Sequence, residues 1–166
     1  LVKKGTVAAL IGLAVVLVFM ILYYRASGLI ADIALVLNGL LVLAVMSMIG
    51  STLTLPGIAG FVLTLGMAVD ANVLIYERIR EEQARGRSVA RAVSEGFERA
   101  FTTIVDSNVT TFFTALFLYF FGTGSIKGFA VTLSIGLLAN LFTAVVFTRM
   151  IYDFWLGRGK VERLSI

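Results

Sequence analysis

Thr64-Leu65-Gly66-Met67-Ala68-Val69-Asp70-Ala71-Asn72-Val73-Leu74-Ile75-Tyr76-Glu77-Arg78-Ile79-Arg80 carries an aspartate deep inside an apolar run that ends in a cluster of charges. An ionisable group at the centre of a bilayer costs roughly 2.5–3.5 kcal/mol by insertion scales, so a carboxyl there is a functional candidate from the outset. Two readings of the position stand side by side. Asp70 handles protons, or it is a protonated residue hydrogen-bonded to a neighbouring helix as packing glue. The predicted helix runs from about Gly57 to Tyr76, with Pro56 suited to its first turn because a missing N–H costs nothing there. Asp70 lies thirteen residues in, about 20 Å of rise, between the midplane and the charged end. Gly66, four residues earlier on the same face, would let another helix approach the carboxyl closely.

The rest of the chain supplies the membrane. Of 166 residues, 59% are hydrophobic and only 14% charged, and the mean hydropathy is +0.98. A soluble domain of this size has no interior large enough for so much apolar surface. Apolar runs are read at 6–24, 33–49, 57–76, 104–121 and 129–152, giving five transmembrane helices in an all-α integral membrane protein. The first run is too long for a signal sequence and no small-residue cleavage site follows it. A short loop with Arg25 and Asp32 is expected between the first two spans. Within 88–103, Val89, Ala92, Val93, Gly96, Phe97, Ala100 and Phe101 recur at helical spacing opposite Arg91, Glu95, Glu98 and Arg99. That pattern predicts an amphipathic helix lying at the cytoplasmic membrane surface, with Ser88 as its N-cap. Five acidic residues between Glu77 and Glu98 interrupt the basic ones, which argues against nucleic acid as a partner.

Charge placement orients the chain. Arg25, Arg78, Arg80, Arg85, Arg87, Arg91, Arg99, Arg149, Arg158, Lys160 and Arg163 fall on one side of the predicted spans, against Lys3, Lys4 and Lys127 on the other. The positive-inside rule then places the N-terminus outside and the C-terminus in the cytoplasm, with Tyr152 and Trp155 at the interface.

The chain has no cysteine and no histidine, which removes thiolate metal sites, disulfides and the commonest general base. Gly122-Thr-Gly-Ser-Ile-Lys127-Gly128 imitates a phosphate loop but lacks its Gly-Lys-Ser/Thr ending and follows a membrane helix. No catalytic residue, metal or organic cofactor is indicated. The polar residues inside the spans are few. If Asp70 faces the bundle, Asn72, Asp106, Asn108, Thr110, Thr111 and Asn140 could line a polar track around it. Asp106 reads equally well as a helix-start residue favoured by the dipole, and Asn108, Thr110 and Thr111 as interhelical glue. The predicted spans offer Asp70 no cationic partner, since Arg149 sits at a helix end where it can snorkel.

Three blocks now carry a resemblance. They are Thr64 to Glu82, Ile104-Val-Asp106-Ser-Asn108-Val-Thr110-Thr111, and Gly122-Thr-Gly124-Ser-Ile-Lys127-Gly128-Phe129-Ala-Val-Thr-Leu. Together they resemble the SecD/SecF protein-export family of the resistance–nodulation–division superfamily, with residues around Asp70 closer to its SecD branch. The resemblance covers nearly the whole chain. It implies half of a pseudo-symmetric helix bundle in the bacterial or archaeal cytoplasmic membrane, with a periplasmic domain and one more helix upstream. It implies a non-enzymatic subunit of preprotein export, working with SecF (separate or fused) and the SecYEG channel. Protons driven by the proton-motive force would be the coupling ion. The family's intramembrane aspartate falls on Asp70, and Asp106, Asn108 and Thr110 follow as pathway lining. A scaffold without proton coupling, and a related exporter of lipids or drugs, remain as alternatives.

Overall fold

The computed structural model describes residues 2–159, together with 164 and 166. Among these, every regular element is helical. The helices are α1 (Val2–Tyr24), α2 (Ala26–Met48), α3 (Leu55–Ala84), α4 (Val89–Phe121), α5 (Gly124–Leu141), a π-helical segment (Phe142–Phe147) and α6 (Thr148–Gly157). The last three form one continuous rod, so five helices in all are long and apolar enough to cross a membrane. The chain is a multi-pass membrane protein.

Boundaries differ from the sequence-based expectation in three places. The loop expected around Arg25 and Asp32 shrinks to Arg25 alone, at φ 53° and ψ −119°, and Asp32 lies inside α2. The separate surface helix expected at 88–103 does not exist as such. Its residues form the first half of the uninterrupted α4. Thirty-three residues at 1.5 Å each make a rod of about 50 Å, so the amphipathic half projects beyond an apolar core of about 30 Å. Finally, the link after α4 is only Gly122 and Thr123. At the start of α3 the fold matches the local chemistry: Thr54 caps it, its Oγ1 accepting from the Gly57 N–H at 3.1 Å, with Pro56 in the first turn. Lys160 and Arg163 of the expected basic tail lie outside the described residues.

α3 sits at the centre. It packs against α4, against the α5–α6 rod and against α2, whereas α1 leaves nearly all of its surface exposed. α3 and α5 run side by side at very close range because small residues face one another. A methyl group added at Gly136 would lie 2.3 Å from Thr64 Cγ2, and one at Gly60 3.1 Å from the Phe129 carbonyl. Such closeness between apolar helices gains dispersion energy that bulkier residues would forfeit. Gly28 does the same for the α1–α2 hairpin, where an added methyl would strike the Met20 carbonyl. The largest apolar core gathers Met20, Tyr24, Ile75, Tyr76, Ile79, Phe97 and Tyr152 at the end where the charged residues of α3 and α4 emerge.

Candidate functional site: two separate polar systems

The interior of the bundle holds a belt of amides and hydroxyls. Asn38 of α2 donates to Thr143 Oγ1 at 3.4 Å, and Asn140 donates to Asn108 Oδ1 of α4 at 3.4 Å. Thr148 Oγ1 shares its donor between Asn72 Oδ1 of α3, 3.2 Å away, and the Thr143 carbonyl at 2.8 Å. All six side chains are buried. The belt therefore ties α2, α3, α4 and the α5–α6 rod together around the π-helical turn, a feature that often marks functional sites. Each bond relieves a desolvated polar group, which is why these residues turn inward and not toward lipid.

Asp70 is not part of this belt. Asn72 follows it by two residues, and successive helix residues are turned by about 100°, so the two side chains diverge by about 160° around α3. Asn72 is 1% exposed; Asp70 is exposed. Among the described residues, Asp70 has neither hydrogen bond nor ion pair. Asp70 therefore does not meet the condition under which Asn and Thr side chains of the following spans would line a track around it within the described residues. Asn72, Asn108 and Asn140 are indeed buried, but in the belt. Asp106 and Thr110 are exposed on α4, and Thr111 is half-buried. Their hydroxyls are used locally: Thr110 donates to the Asp106 carbonyl at 2.8 Å and Thr111 to the Ser107 carbonyl at 2.9 Å.

Gly66 shares the outward side of α3 with Asp70. A methyl group there would meet nothing within 4 Å, so no helix of this chain uses it for the close approach expected of it. Beside it, Gly12, Leu13, Val16, Phe61, Leu65, Gly66 and Val69 border an apolar cleft of about 550 Å³ between α1 and α3.

At the charged end a second system holds α3 to α4. Glu82 is fully buried and is met by Arg99 at 3.1 Å, Arg85 at 3.2 Å and Arg87 at 3.8 Å. Arg87 also reaches Glu95, 3.5 Å away, which pairs with Arg91 at 2.7 Å. Tyr24 donates to Glu77 at 2.8 Å and Arg80 donates to Tyr23 at 3.4 Å, so the end of α1 is tied to the charged part of α3 as well.

The sequence profile described as "Protein export membrane protein SecD/SecF, C-terminal" matches residues 1–158. The chain belongs to the SecD/SecF family. Its relatives include proteins named "Protein translocase subunit SecD" from Anaeromyxobacter dehalogenans, 64% identical over 166 residues, and from Desulfurispirillum indicum, 54% identical over 165. A third, from Rhodothermus marinus, is 57% identical over 160 residues. These alignments cover 100%, 99% and 96% of this chain, but only 27%, 32% and 26% of the relatives. The chain spans between about a quarter and a third of the family members it matches.

Sequence reasoning passed over Asp32, Glu82 and Thr148. Asp32 was discoverable: treating it as an acid inside an apolar helix, as Asp70 was treated, extends the second span back to Ala26. Glu82 had no such signal, because one acid among many charges does not announce which will be buried.

Proposed function

We propose that the chain is the C-terminal membrane part of a protein-translocase subunit, and that it couples the proton-motive force to export through Asp70. The observation that carries this reading is the contrast on α3. The buried amide of Asn72 is satisfied within the chain, whereas Asp70 stands on an outward face with no partner among the described residues. A bare carboxyl facing lipid at that depth is costly. A second helix bundle of the same family covering this face would remove the cost and make Asp70 an interface acid. Its protonation would then change how the two halves pack. One charge moved across 100 mV is worth about 2.3 kcal/mol, enough to bias two packings of similar energy. The partner in this reading is SecF, and the wider assembly includes the SecYEG channel and preproteins. The orientation is N-terminus outside, supported by the charge asymmetry.

The test is Asp70→Asn in the full-length subunit, assembled with its partner in inverted membrane vesicles. The expected result is normal assembly, with export that no longer responds to the proton-motive force. Export that stays proton-dependent in this variant sinks the coupling role and leaves a scaffold.

A further inference from the structure

Asp32 is a buried acid that, unlike Glu82, has no ion pair among the described residues and that the proposed coupling through Asp70 leaves unused. It lies six residues into α2, about 9 Å along the helix axis, and is 8% exposed. Both carboxyl oxygens are shut off from the surface, and neither has a hydrogen-bond partner among the described residues. The Tyr76 hydroxyl of α3 is likewise buried and unpartnered, and it stands within electrostatic reach of Asp32. The Tyr76 ring packs between Tyr24 of α1, at 5.3 Å, and Tyr152 of α6, at 6.1 Å. The Tyr152 hydroxyl donates to Ser27 Oγ, back on α2 near its start. Tyr24 in turn donates to Glu77 in the charged system. Hydroxyl-bearing side chains from α1, α2, α3 and α6 are therefore gathered around Tyr76 and Tyr152.

No Lys or Arg forms an ion pair with Asp32 among the described residues. An unpaired carboxylate charge in such a place is heavily penalised, whereas the neutral acid asks for only one acceptor and one donor. Tyrosine hydroxyls serve as either, and they pass protons without carrying charge at rest. Asp70 makes no hydrogen bond to any of them.

We propose that Asp32 is a second proton-binding carboxyl of this membrane domain, exchanging its proton through the Tyr76, Tyr152 and Ser27 hydroxyls toward the end where Glu77 and Arg80 sit. The inference rests on the proton-coupled reading above for its purpose, but not for its detection. In each exchange the proton leaves the Asp32 carboxyl oxygen for a hydroxyl oxygen of the cluster, which passes its own proton onward to water at the charged end, leaving Asp32 as a carboxylate until a proton returns by the same path, so no net charge stays on the tyrosines.

The experiment uses the full-length subunit with its partner in lipid, as wild type and as Asp32→Asn, Tyr76→Phe and Asp70→Asn. Infrared spectroscopy with and without deuterium exchange isolates the carbonyl stretch of a protonated carboxylic acid. The expected result is one such band that persists in Asp70→Asn, disappears in Asp32→Asn and changes frequency in Tyr76→Phe, which keeps the ring but removes the hydroxyl. Proton-driven export should fall severalfold in Asp32→Asn at normal subunit levels. The absence of a band that responds to Asp32 and Tyr76 overturns the proposal, as does wild-type export by Asp32→Asn. If Asp32→Asn does not assemble, the Tyr76→Phe frequency shift decides alone. Proton-dependent export by Asp70→Asn refutes the Asp70 reading and leaves the infrared result on Asp32 standing.

Discussion

Asp70 and Asn72 sit two residues apart on α3 and look in nearly opposite directions, Asn72 into the hydrogen-bonded belt and Asp70 out of the bundle. The two side chains thus sit in different surroundings: one is held by hydrogen bonds between helices, and the other is exposed.

The magnitude expected at Asp70 follows from the field it senses. If one proton charge crosses the whole potential, 100 mV biases the two packings by about 2.3 kcal/mol, or about fortyfold. Collapsing the potential should slow wild-type export by up to that factor and leave Asp70→Asn unmoved. Initial export rates in vesicles with and without an ionophore measure both.

Small residues on the two sides of α3 should behave differently. Gly136→Ala drives a methyl against Thr64, 2.3 Å away, and overpacking of this kind costs about 1–3 kcal/mol. At Gly66 an added methyl meets nothing within 4 Å, so Gly66→Ala should leave the fold unaffected. If a second bundle packs closely on that face, Gly66→Ala should instead weaken binding of the partner subunit. Unfolding in mixed micelles and co-purification with the partner separate the two effects.

Thr148 is the donor that the interior belt depends on. Thr148→Val leaves Asn72 Oδ1 buried without its side-chain donor, at a cost of about 1–3 kcal/mol, while Thr148→Ser should restore most of it. Equilibrium unfolding of the full-length subunit in micelles reads this directly. Equal stability of the Val and Ser variants would show that the Thr148–Asn72 bond contributes nothing.

Glu82 should be more sensitive than any other charged residue of its cluster. Removing a partner of a buried charge is costlier than trimming an exposed pair, so Arg99→Ala, which leaves Glu82 with Arg85 and Arg87, should cost more than an exposed pair but less than the about 3–5 kcal/mol of an uncompensated buried charge. Arg91→Ala, whose pair with Glu95 is largely exposed, should cost under about 1 kcal/mol. Protease sensitivity of the α3–α4 connection, compared between the variants, ranks them.

Composition and periodicity determined that the chain crosses a membrane five times as helices, and the motif around Asp70 determined its family. They also located the acid along its helix, because rise per residue is fixed. What they left open is which way each side chain faces. In water an amphipathic pattern marks the buried side of a helix; in a bilayer the lipid and the protein interior are both apolar, so the pattern fades and Asp70, Asp32 and Asn72 read alike. Only the packing of α1, α2 and the α5–α6 rod around α3 decided that Asn72 is enclosed, that Asp32 is enclosed without a hydrogen-bond partner among the described residues, and that Asp70 stays exposed.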